Sequence, residues 1–164
     1  MRVAMIIAAA LICCPSFVLA KDPPKKFDPT TAVLELQKRM AVADRSCINK
    51  LVAAKSEPDK KKRDKKKLVA LKYCREEYTA VQKLAMETRN KASGNHMVFA
   101  RGYERAAAIY IETMQMFADC YSQRDDVAKY HQEECVEQAV EHSAVGERIE
   151  KFVDDLADDY ILKK

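Results

Sequence analysis

The residues of this chain best equipped for chemistry are its six cysteines, and their placement decides which chemistry is open to them. Cys13 and Cys14 close an apolar stretch that begins at Val3, after the positive Met1-Arg2 and before Val18-Leu19-Ala20 and Lys21-Asp22. A short apolar run ending in residues tolerated at a cleavage point is the pattern of a secretory signal peptide. Residues 1–20 are therefore expected to be a leader, too short to stay as a membrane anchor. Its removal would deliver Cys47, Cys74, Cys120 and Cys135 to an oxidising extracellular compartment. An even number of cysteines in a small exported chain predicts two disulfides. Sequential pairing, Cys47 with Cys74 and Cys120 with Cys135, is preferred among the three connectivities. In a chain-entropy account, loops of 27 and 15 residues would each stabilise the fold by about 3 kcal/mol. No CxxC occurs, which argues against thiol redox catalysis and a zinc ribbon.

The histidines add little chemistry. His131, Cys135 and His142 share one helical face, a spacing able to hold a metal ion, but a disulfide would claim Cys135. No metal and no cofactor are expected, and His96 reads as solvated at a helix start. The chain has no nucleophile motif, no phosphate-binding glycine loop and no HExxH. It also lacks the Glu-x-x-His pair of a di-iron site. No catalytic residue is nominated, and the reading is non-enzymatic.

Charge is the sharper signal. The run Lys60-Lys61-Lys62-Arg63-Asp64-Lys65-Lys66-Lys67 holds seven cations in eight positions, whereas Asp125 to Asp159 is strongly acidic. A run of this kind is ordinarily a solvated loop. Its functional reading is contact with a polyanion through Lys60, Lys61, Lys62, Arg63, Lys65, Lys66 and Lys67, by release of counterions. Few aromatics are interleaved, so a sulfated glycan or a protein fits better than nucleic acid. Lys60 to Arg63 also has the look of a basic processing site. The alternative function is carriage of a small hydrophobic ligand between helices, suggested by the Met and Tyr residues of the core stripes. Oligomeric state is not encoded in any of these features.

The elements that must position these groups are all helical. About 144 residues follow the leader, enough for one domain with its own core. No further stretch reaches membrane-spanning length. Lys21 to Phe27 reads as a flexible lead-in, and 28–164 as a single helical domain. Asp28 caps the first helix with Pro29 behind it, and Val33, Leu36, Met40, Ala43, Cys47 and Leu51 form its apolar stripe to about Lys55.

Two starts compete for the second helix. Ser56-Glu57-Pro58-Asp59 resembles a capping box, but seven cations in the first turns would oppose the helix dipole. Placing Cys47 and Cys74 level across a hairpin favours a start near Lys66, so a basic loop is expected near 57–66. This helix buries Leu68, Leu71, Cys74, Tyr78, Val81, Leu84 and Ala85 and ends at Ser93-Gly94-Asn95. The third runs from about His96 to Tyr121 with Phe99, Tyr103, Ala106, Tyr110, Met114 and Phe117 inward, and it contains Gly102. The fourth, capped by Asp125 or Asp126, carries Val127, Tyr130, Cys135, Ala139, His142, Val145, Ile149, Phe152 and Leu156, with Gly146 as its one candidate break. With no strand candidate, the expected fold is all-α: an antiparallel four-helix bundle, or an irregular relative, stapled by two disulfides.

Overall fold

The computed structural model describes residues 26–122 and 129–161, without the side chains of 129–132. The expected leader, most of the lead-in and the Asp125/Asp126 cap lie outside the described residues. Four helices follow one another: α1 (Pro29–Lys55), α2 (Lys60–Lys91), α3 (Gly94–Ser122) and α4 (Lys129–Ile161). They pack up and down as an antiparallel bundle. α2 and α3 share the most extensive interface, α3 packs on α4, and α1 lies against α2. α1 and α4 approach closely over only a short stretch. No helix among the described residues is long and apolar enough to cross a membrane.

α1 starts as its sequence directs. The Asp28 carboxylate accepts from the Thr30 amide at 3.1 Å, with Pro29 in the first turn. Val33, Leu36, Met40, Ala43 and Cys47 are all buried on the expected stripe. They meet Leu71, Cys74, Tyr78, Val81 and Ala85 of α2, and Phe99, Tyr103, Ala106, Tyr110 and Met114 of α3. Helices of 27 to 33 residues are roughly 40–50 Å long. Their stability comes from this shared apolar seam more than from intrinsic propensity.

The expected basic loop near 57–66 is corrected. The segment from Lys60 is helical, on a cap other than the Ser56–Asp59 box: Ser56 closes α1, and Asp59 is the N-cap that accepts from the Lys62 amide at 2.8 Å. Like charges near a helix N-terminus are each unfavourable by only about 0.3–1 kcal/mol at an exposed site, and several carboxylates offset them. The two cysteines meet without a late helix start because the ends of α1 and α2 are not flush. Glu57, just beyond α1, accepts a hydrogen bond from Lys66 Nζ, so the end of α1 is level with Lys66. The first turns of α2 therefore overshoot α1, and Cys47 and Cys74 still meet.

α4 is the second correction. Phe152 and Leu156, expected in the core, are exposed, at 63% and 39%. The buried line is Ala139, Gly146, Val153 and Ala157. Close packing sets this face. Gly146 lies against the Tyr110 ring, where a Cβ would stand 2.9 Å from Cε1, and Gly102 of α3 accommodates Val153. Neither glycine breaks its helix, whereas Gly94, at φ +55°, makes the left-handed turn into α3.

Candidate functional site

Cysteine geometry divides the expected pair of staples. Cys120 and Cys135 form a disulfide, with Cα atoms 5.8 Å apart, tying the end of α3 to α4. Cys47 and Cys74 are not bridged and are free thiols. They are buried in the α1–α2 seam and hydrogen-bonded to each other. That contact, followed by burial, pushes the Cys47 thiol well above its ordinary range and keeps it protonated. The register inference thus brought the right residues together, but side-by-side thiols in a tightly packed seam are not yet a covalent link.

The seven nominated cations share one helix but not one environment. Lys60, Arg63 and Lys67, with Asp64, line a cleft of about 410 Å³ against Tyr121 of α3 and Glu133, Val136 and Glu137 of α4. Lys67 Nζ sits 4.4 Å from the Tyr121 ring centroid, and Arg63 donates to the Glu57 carbonyl at 3.4 Å. Burial, then the charge of Asp64, pushes the Tyr121 hydroxyl up. This side of the basic run therefore faces the acidic helix of its own chain.

Lys62, Lys65 and Lys66 border a second groove, of about 790 Å³, between the last turns of α1 and the start of α2. Its other lining residues are Lys50, Ala53, Ala54, Glu57, Val69, Ala70 and Tyr73. Lys66 is paired with Glu57, and this contact holds the Glu57 carboxyl below its usual range. Lys50 lies over the Tyr73 ring at 5.3 Å. Lys60, Lys61, Lys62 and Lys65 are exposed, while Arg63 and Lys67 are half-buried.

The histidines have structural partners. His96 is hydrogen-bonded to Thr30 Oγ1 at 3.1 Å and meets the edges of Phe99 and Tyr160. It is half-buried at the junction of α1, α3 and α4, where the sequence suggests a solvated histidine. His142 pairs with Glu112 at 3.2 Å, Cys135 is in the disulfide, and the His131 side chain lies outside the described residues. Among the described residues, no cluster of three or more His, Cys, Asp or Glu is arranged to hold a metal ion.

One cluster was missed altogether. Asp44 of α1 and Glu150 of α4 are hydrogen-bonded to each other. Tyr78 donates to Asp44 at 2.8 Å and Tyr110 to Glu150 at 2.7 Å. The two tyrosine rings stack with centroids 4.8 Å apart, and Tyr103 donates to Asp154 nearby. Burial first, then the charge of Asp44, pushes the Glu150 carboxyl up to about 8, and burial also raises Asp44. Each carboxyl accepts from a tyrosine hydroxyl, and neither cleft described above reaches them. Their geometry is that of an interhelical polar clamp. The signal was present in the sequence: Tyr78, Tyr103 and Tyr110 all lie on core stripes, and a buried tyrosine hydroxyl needs an acceptor.

Comparison of the chain with family profiles, curated proteins and solved structures finds no match in any of the three.

Proposed function

We propose that this chain is a small secreted, non-enzymatic binding protein that holds a polyanion, of sulfated-glycan type, on the exposed lysines at the start of α2. The observation supporting this reading is that Lys61, Lys62 and Lys65 are exposed on an ordered helix. Cations one turn apart on a helix rise by about 5.4 Å. A ladder already fixed in that way binds a charged polymer without first ordering a loop, which lowers the entropic cost of association. The acidic α4 engages the opposite side of the same segment, so the ladder has a defined outward face. Secretion is supported by the leader pattern at residues 1–20 and by the Cys120–Cys135 disulfide.

Heparin-agarose chromatography of the intact, disulfide-bonded protein tests the proposal. The wild type is expected to be retained at low salt and released as salt rises. Lys61→Gln/Lys62→Gln/Lys65→Gln should elute much earlier, and its salt slope should become shallower by roughly one per lysine removed. Unchanged elution of the triple variant would overturn the assignment.

A further inference from the structure

The groove between α1 and α2 differs from a purely cationic surface in having an apolar floor. Ala53 and Ala54 come from the last turns of α1, and Val69, Ala70 and Tyr73 from the third and fourth turns of α2. Three alanines give the groove its depth, because no longer side chain occupies the space between the two helices. Val69 is 64% exposed, so this apolar lining is open to solvent. Around the floor stand Lys50, Lys62, Lys65 and Lys66, against the single carboxylate of Glu57, which is already paired with Lys66. The overshoot of α2 creates this arrangement, since it carries Lys62 and Lys65 beyond the end of α1.

The geometry points to a binding site for a monomeric long-chain fatty carboxylate, with its alkyl chain on the Ala53–Ala54–Val69–Ala70–Tyr73 floor and its head among Lys62, Lys65 and Lys66. A volume of about 790 Å³ falls within the span of roughly 300–1,000 Å³ usual for small-molecule sites. Neither half of the groove explains the other alone. A glycan polyanion has no use for the floor, and a neutral hydrocarbon has no use for four ammonium groups. A single-chain anionic amphiphile uses both, removing apolar surface from water while its head meets preplaced cations. Lysine stems flanking the chain add apolar contact while their charged ends stay at the rim. The inference rests on the anion-binding role proposed for the same turns of α2, and it names a ligand class for one side of them.

Isothermal titration with dodecanoate below its micellar concentration, supported by displacement of dansyl-undecanoate, tests it on the full-length mature protein. One dodecanoate per chain is expected, with hexanoate weaker by a hundredfold or more, since each pair of buried methylenes is worth roughly tenfold. Dodecyltrimethylammonium, with the same chain and the opposite charge, should not bind. Ala53→Asn/Val69→Asn changes two exposed neutral positions, so the fold should survive; dodecanoate affinity should fall roughly tenfold while heparin elution stays constant. Lys60→Gln/Lys61→Gln lies outside the groove and should weaken heparin retention without moving dodecanoate affinity. Equal binding of the cationic amphiphile, insensitivity to Ala53→Asn/Val69→Asn, or uptake only by dodecanoate-doped vesicles would overturn the fatty-carboxylate site. Failure of the wild type to be retained on heparin at low salt, with its dodecanoate binding intact, would overturn the glycan reading and leave the groove.

Discussion

At the scale of single residues, the most consequential groups are buried polar ones that a hydropathy pattern does not register. Asp44 and Glu150 hold α1 to α4 where those helices otherwise touch little. The groups facing the Glu150 carboxyl are Asp44 of α1, Tyr110 of α3 and Asp154 of its own helix, and none is a cation. Neutral Glu150 is thus the stable form in the folded protein. Its carboxyl titrates at about 8 when folded and near 4.5 when exposed. The stabilisation is complete below the lower value and is lost as pH rises toward the upper one. Thermal unfolding midpoints should therefore fall between pH 5 and 8, and Glu150→Gln, which mimics the neutral form, should flatten that dependence and raise the midpoint at pH 8. A midpoint equally steep in pH for the variant would assign the slope elsewhere. Gly146 makes a sharper steric case. Adding one methyl beneath Tyr110, 2.9 Å from Cε1, should make Gly146→Ala less stable by about 1–3 kcal/mol in urea unfolding, despite the better helix propensity of alanine.

At the scale of elements, the sequence was most legible where local chemistry and packing agreed. Asp28-Pro29 opens α1, and its apolar stripe is buried as its spacing predicts. α2 shows where such reading fails. The capping signal in Ser56 to Asp59 and the repulsion among Lys60 to Lys67 point in opposite directions; the helix starts early, with Asp59 in place of Ser56 as its cap, because that hydrogen bond is local and the charges are screened or paired. α4 failed for a different reason: one-residue rotation moved the buried face from Phe152 and Leu156 to Val153 and Ala157, chosen by small residues that admit their neighbours. Hydrophobicity ranks Phe above Gly, but interhelical distance ranks them the other way. The lysine-rimmed groove was illegible for the same cause, since it depends on the axial offset of two helices. If Asp59 sets that offset, Asp59→Ala should cost about 1 kcal/mol of stability, lower the far-ultraviolet helical signal, and weaken heparin retention as the ladder frays. A variant that keeps full helicity and retention would show that the contacts of Glu57 with Arg63 and Lys66 suffice.

At the scale of the whole molecule, the distribution of covalent links connects the fold to its proposed compartment. For a chain proposed to be exported, two free cysteines look inconsistent until their setting is considered. Cys47 and Cys74 are 2% and 0% exposed, and the Cys47 thiol is held protonated by Cys74 and by burial. An oxidant must reach a thiolate, and the burial of this seam denies it access. Cys120, itself buried, and half-buried Cys135 are joined instead, tying the last turn of α3 to the second turn of α4. The mature protein should therefore resist alkylation in its native state and take up two labels once unfolded without reductant, both mapping to Cys47 and Cys74. Four labels would mean that neither bridge forms, and none would mean that the α1–α2 seam closes covalently. Replacing Cys120 and Cys135 by alanine should lower stability by about 3 kcal/mol, the loss expected for opening a loop of 15 residues. Replacing Cys47 and Cys74 by alanine should instead act as a loss of core volume, with no dependence on reductant. The two double variants, unfolded with and without reductant, separate a staple from a packed pair of thiols.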